Sequence, residues 1–189
     1  MVPCSFTAMR GRGKAAMRKT MIIPTYWCRS SGKCWQEGDA VYDHPTPVDQ
    51  EGTLERTLVS MQQFQEKDFK LVILICPTTP DVEDAAYEQV YRIVKRVKLR
   101  AETYLFTAGD LAAISRILKG AGLGDRGAAL LSMFGYSNVR NMCLLAATIL
   151  TADAALLIDD DEVFELPDFV PRSLEFLGRR AVSYTHLRA

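Results

Sequence analysis

An α/β fold built on a mainly parallel sheet is what this sequence predicts, on three observations. Short apolar runs alternate with segments of helical period. The strongest run, over 71–76, is apolar on both faces. The last run, over 154–158, leads straight into four consecutive acids, Asp159, Asp160, Asp161 and Glu162. Alternation of this kind implies right-handed βαβ crossovers, and a strand without polar alternation belongs in the middle of a sheet covered on both sides.

Taken in order, Met21-Ile22-Ile23-Pro24 reads as a short strand that leaves the sheet at its proline. Residues 27–50 read as a long polar loop punctuated by His44-Pro45-Thr46-Pro47, and loops of that length are functional or disordered. Leu54, Leu58, Met61 and Phe64 share a helical face over 52–65. The central strand over 71–76 is ended by Pro77 and Pro80. A helix over 82–98 carries Val90, Ile93, Val94 and Val97 on one side and charges on the other. A third strand covers 101–106, Leu111, Ile114 and Leu118 mark a short helix, and four glycines make 120–127 a flexible loop. Val139, Met142, Cys143 and Ala146 predict a helix over 138–150, the fourth strand follows at 154–158, and a last helix is expected over 169–177. Ligands of such sheets bind at the carboxyl ends of the strands. That rule puts Pro24-Thr25-Tyr26, Pro77-Thr78-Thr79 and the acidic cluster along one edge.

Composition narrows the partners. The chain has 189 residues, 48% hydrophobic and 24% charged, enough for one domain with a sizeable core. Lys+Arg and Asp+Glu both number 23, so the net charge is zero and nothing favours nucleic acid or an anionic membrane. No apolar run approaches the roughly 18–20 residues of a membrane helix. Residues 1–20, with Arg10, Arg12, Lys14, Arg18 and Lys19, read as a flexible basic extension. They lack the apolar core of a secretory signal. Five cysteines without CxxC spacing read as reduced thiols in a cytoplasmic protein. Cys76 and Cys143 sit inside apolar patterns, where a free cysteine acts as a small hydrophobe.

Four negative charges directly after a buried strand are costly unless something offsets them. A divalent cation does so, and oxygen-only ligands suit Mg²⁺ or Mn²⁺ rather than zinc. Such an ion, shared with a diphosphate, neutralises charge on a departing nucleotide. The plainer alternative is a solvated acidic turn leading to the last helix. An EF-hand loop fails because Val163 and Phe164 occupy its fifth and sixth positions. A phosphatase-type aspartate nucleophile would want a nearby Ser or Thr that Val163-Phe164 does not supply.

Gly135-Tyr136-Ser137-Asn138-Val139-Arg140-Asn141, then Leu144, Ala146 and Leu157-Ile158-Asp159-Asp160-Asp161-Glu162, resembles the inverting family 2 glycosyltransferases, whose Ala-Arg-Asn helix precedes a strand ending in Asp-x-Asp. Ile22-Ile23-Pro24-Thr25-Tyr26 is similar to that family's first strand, and Glu51-x-x-Leu54 with Leu58 and Ser60 to its first helix. The resemblance covers residues 21–169. It implies the GT-A (Rossmann-like) three-layer sandwich and a metal-dependent, hexosyltransferase-like activity. By the same resemblance Asp161 binds Mn²⁺ or Mg²⁺ directly, and Asp159 holds the ribose or the metal's water shell. Asp160 belongs to the same nucleotide-sugar site. Pro24, Thr25 and Tyr26 line the base, Glu51 faces that pocket, and Arg140 brings positive charge to the diphosphate. The blander readings are a surface cation for Arg140 and a packing aromatic for Tyr26. The sequence departs from the pattern where the second strand ends Ile75-Cys76-Pro77-Thr78-Thr79 without an acid before Asp81, leaving the base open. Cys143 replaces a frequent glycine, and the long loop over 27–50 is a candidate acceptor or lid element.

The implied reaction is a single displacement from a nucleotide-sugar donor to a glycan, lipid or small-molecule hydroxyl, with inversion. Only 27 residues follow Glu162, where a GT-A fold places its acceptor half and catalytic base. The chain therefore reads as the nucleotide-sugar-binding portion, cut short and inactive alone. Residues 182–189 resemble translated adapter and read as foreign, so His186 carries no role, and His44 reads as a loop residue. Two other readings compete. A metal-dependent nucleotidyl- or phosphotransferase is disfavoured because 120–127 lacks the Lys and Ser/Thr of a phosphate loop. A non-catalytic interaction module on the same fold draws support from the altered end of the second strand.

Overall fold

The computed structural model describes residues 17–33 and 35–177. The tail over 182–189 and residues 1–16 of the basic extension lie outside the described residues. Five strands make one sheet: β1 (Lys19–Cys28), β2 (Thr46–Pro47), β3 (Lys70–Pro77), β4 (Glu102–Phe106) and β5 (Ala154–Leu157). Every pairing is parallel. The order is β2-β1-β3-β4, with β5 also on β1. From β1 the chain winds one way through β3 and β4, then returns to place β5 on the other side. The winding therefore reverses between β1 and β5.

Helices cover both faces: α1 (Leu54–Ser60), α2 (Glu83–Val97) and α6 (Phe169–Leu174) on one, α3 (Ala108–Gly120) and α5 (Tyr136–Ile149) on the other, with the short α4 (Asp125–Ala128) between the last two in sequence. The two-residue period of a strand sorts the core. Met21, Ile23, Leu71, Ile73 and Ile75 meet Leu54, Leu58, Val90, Ile93 and Val170. Ile22, Val72, Leu74 and Cys76 meet Leu111, Val139, Met142 and Ala146. β3 is apolar on both faces because both faces are covered, as the sequence predicts. α2 begins with Glu83 and Asp84 and ends with Lys95 and Arg96, charges that oppose its dipole at each end. α3 is longer than expected because Thr107 and Asp110 form a reciprocal capping box at its start.

Several sequence expectations change. β1 starts at Lys19, so Lys19 and Thr20 belong to the strand and not to the extension. It does not end at Pro24 but continues to Cys28, which takes Trp27 out of the loop and into the core. Thr46-Pro47, read as loop, forms β2. Asp125–Ala128 turns the end of the glycine-rich segment into helix. Cys28 is disulfide-bonded, correcting the expectation of reduced thiols throughout, while Cys76 and Cys143 are free and buried. Absence of CxxC spacing misled there, since a disulfide needs proximity in space and not a sequence motif.

The chain after the acids is fastened to the end of α1. Phe64, 1% exposed, lies 4.9 Å from the Phe164 ring and 5.6 Å from Phe169. Phe164 N–H donates to Ser60 Oγ at 3.1 Å, and Gln63 Nε2 donates to the Phe164 carbonyl.

Candidate functional site

The site begins with a gap in the sheet. β5 pairs with β1 from Lys19 to Ile22, and β2 pairs with it at Trp27 and Cys28. Residues 23–26 therefore have no strand on that edge. The Ile22 carbonyl accepts from Ile158 N–H at 3.0 Å and the Cys28 carbonyl from Val48 N–H at 3.1 Å, both on this edge. Alternation then aims the nitrogens of Pro24 and Tyr26 into the gap. Pro24 has no N–H to leave unpaired there, which is why the strand runs through it.

Asp160 fills the gap. Its carboxylate accepts from the Thr25 hydroxyl at 2.6 Å and from Tyr26 N–H. Its carbonyl accepts from the Thr57 hydroxyl of α1 at 2.7 Å. Burial pushes the Asp160 carboxyl up to about 6; the Thr25 hydrogen bond opposes this, and the charges of Asp161 and Asp159 add to it. The residues on either side turn out. Asp159 is exposed and pairs with Arg140 of α5, Nη2 to Oδ1 at 3.0 Å. Asp161 is exposed and makes no hydrogen bond or ion pair with a described residue. Glu162 N–H closes the turn on the Asp159 carbonyl at 3.3 Å. Its carboxyl is raised, first by burial and then by the charges of Asp161 and Asp159.

On the opposite face three tyrosines meet. The Tyr26 ring lies 4.5 Å from Tyr42 and 5.3 Å from Tyr136. The Tyr42 hydroxyl donates to the Met133 carbonyl and accepts from Gly135 N–H, both at 3.0 Å. Asp43 N–H donates to the Tyr136 hydroxyl. Gly135, at φ 84°, caps α5 with a backbone conformation that side chains rarely adopt. Tyr26 is 8% exposed and its hydroxyl is buried without a hydrogen-bond partner. Burial raises its phenol pKa, with Cys76 adding and Arg140 opposing. The aromatic surface open to solvent is that of Tyr136, 42% exposed.

The loop that carries Tyr42 is held at its base. Arg29 pairs with Asp39 and with Asp81, and Ala40 N–H donates to the Thr78 carbonyl at 2.8 Å. Asp81, the first acid after β3, is thus engaged by Arg29 and the Thr79 hydroxyl.

Of the residues singled out in the sequence, Thr25, Tyr26, Arg140, Asp159, Asp160 and Asp161 converge at the carboxyl ends of β1 and β5, with Pro24 in the strand beneath them. Glu51 is exposed in the segment before α1, and no hydrogen bond or ion pair joins it to the others. Tyr42 and Thr57 belong to the site and carried no sequence signal: one lies in an irregular loop, the other reads as an ordinary helical polar residue. Among the described residues no group of three or more His, Cys, Asp or Glu converges on one point. The oxygen-only donor set at Asp159 and Asp161 fits Mg²⁺ or Mn²⁺, which take one or two carboxylates and fill the rest with substrate phosphate and water.

A cavity of about 700 Å³ lies at the other end of the strands, lined by Lys19, Lys70, Arg100 and Glu102 among others. Its cations are largely balanced, Lys19 by Glu66, Lys70 by Glu102 and Arg18 by Asp153. Among the described residues no helix is long and apolar enough to cross a membrane.

Compared with protein-family models, with curated proteins and with solved structures, the chain matches none of them. Fold and site together define an α/β protein of Rossmann-like build, with an acidic turn at the sheet edge where the winding reverses.

Proposed function

We propose that the acidic edge where the winding reverses binds a nucleotide sugar with Mn²⁺ or Mg²⁺, as the donor site of an inverting GT-A glycosyltransferase. The observation that carries this reading is the meeting of an acidic turn, one arginine and the end of β1 at the reversal point of a parallel sheet, where ligands of open α/β sheets bind. Asp161, exposed and unpaired among the described residues, is the direct metal ligand. Asp159 stands beside it and orients Arg140, whose guanidinium faces the diphosphate. Thr25 and Tyr26 form the floor under the nucleoside, and Tyr136 gives it an aromatic face. The bound ion supplies charge neutralisation on the departing nucleoside diphosphate. The acceptor, a glycan, lipid or small molecule, and the catalytic base are not assigned to described residues.

One observation favours a non-catalytic module on the same fold. Asp81 is held by Arg29 and Thr79, so the end of β3 offers no free acid to a base. Calorimetric titration with UDP-, GDP- and dTDP-sugars, in Mn²⁺ and in EDTA, separates the two. Mn²⁺-dependent binding of one nucleotide, abolished in Asp161→Ala, supports the donor site. Folded protein that binds none of them discards it in favour of the module.

A further inference from the structure

We infer that Asp160 is a positioning residue, one that holds the acidic turn against β1 and α1 so that Asp159 and Asp161 face outward, and does not itself touch the ligand. The inference rests on the donor-site reading above and deepens it. Both functional ends of Asp160 are taken from inside. Its carboxylate receives the Thr25 hydroxyl at 2.6 Å and the Tyr26 N–H, and its carbonyl receives the Thr57 hydroxyl at 2.7 Å.

The gap between β5 and β2 makes this anchoring necessary. A strand edge with an unpaired N–H is costly when buried, and Tyr26 is the residue whose N–H faces the gap. Asp160 satisfies it from the next turn of chain. Asp160 and Asp161 are the middle residues of the turn that Glu162 N–H closes on the Asp159 carbonyl, and with Asp160 turned in, Asp159 and Asp161 on either side of it are exposed. Asp159 then reaches Arg140, and Asp161 is exposed with no ion pair among the described residues.

The role makes a prediction that a ligand-touching Asp160 would not. Thr25 lies beneath the turn, yet Thr25→Val should weaken Mn²⁺ binding about tenfold, the loss of one hydrogen bond to a charged group. Thr25→Ser should restore it. Asp160→Ala should lose at least as much as Thr25→Val. Asp160→Asn keeps an acceptor for Tyr26 N–H and a partner for Thr25, and should recover most of the binding that Asp160→Ala loses. The probe is Mn²⁺ alone, its free fraction read by electron paramagnetic resonance, followed by amide hydrogen exchange of residues 159–162 without ligand. Exchange should accelerate in Thr25→Val and Asp160→Ala and return towards normal in Thr25→Ser and Asp160→Asn. Wild-type binding with Thr25→Val unchanged, or Asp160→Asn as damaged as Asp160→Ala, overturns the positioning role. Wild-type protein that takes up no Mn²⁺ overturns the donor-site reading, and the role with it; the exchange pattern then shows separately whether the anchor exists.

Discussion

Replacing Asp160 by asparagine in metal-free protein should remove a pH dependence of stability whose size follows from the structure. The folded carboxyl titrates at about 6 and its ordinary value is 3.8. A folded pKa raised above the unfolded one stabilises the fold fully below pH 3.8, and that contribution disappears as pH rises through 6. The difference of about 2 units, at about 1.4 kcal/mol each, makes roughly 3 kcal/mol. The groups that share this field are Asp159, Asp161 and Glu162 on the same turn, Arg140 of α5 and Cys76 of β3. They remain in both proteins, so the difference between wild type and variant isolates Asp160. Urea unfolding in EDTA at half-unit steps from pH 4 to 8 measures it. Wild type should fall relative to Asp160→Asn by about 2.5 kcal/mol across that range, most steeply between pH 4 and 6. A difference constant to within about 0.5 kcal/mol, the scatter expected of independent sites, would refute the part-buried carboxyl and with it the packing of the turn into the gap.

Two further perturbations probe the supports of the site. Phe64→Ala removes a fully buried ring that touches Phe69, Phe164 and Phe169 and should cost about 3–5 kcal/mol in urea unfolding; a loss under about 1 kcal/mol, the level of an ordinary substitution, would mean the aromatic cluster is not packed. Arg29→Gln frees Asp39 and Asp81 and should accelerate amide exchange over residues 36–43 while leaving α2 unchanged. Unaltered exchange there would show that the loop is held by its tyrosine contacts and the Ala40–Thr78 hydrogen bond without the ion pairs.

Much of this architecture can be read from residue order, and the exceptions have physical causes. β3, α2 and α5 are legible because their apolar residues repeat over long enough spans to fix both element and face. Pro24 misleads because the proline rule assumes a neighbour on each side of the strand, and at this point β1 has one. β2 is two residues long, too short to carry a period. The site divides in the same way. Four acids after an apolar strand announce a charged edge, while the reversal of winding beside it is visible only in the strand order of the folded sheet. That Asp160 turns in while Asp159 and Asp161 turn out depends on hydroxyls of Thr25 and Thr57, residues that nothing in a linear pattern connects. Tyr42 reaches the site through a loop whose path is set by Arg29 and Asp39, an ion pair between residues ten apart that no periodicity describes.

The acids occupy a span of chain between two buried anchors, Ile158 at 6% exposure and Phe164 at 4%. A bridge that short, tied down at both banks and stitched to β1 in its middle, has few conformations to lose. Whatever it meets encounters a charge array already set, so association costs little ordering entropy and the affinity reflects the contacts themselves. Loosening either bank, for instance at Phe64, would then weaken binding through disorder of the free state, with every ligand-facing carboxylate still in place.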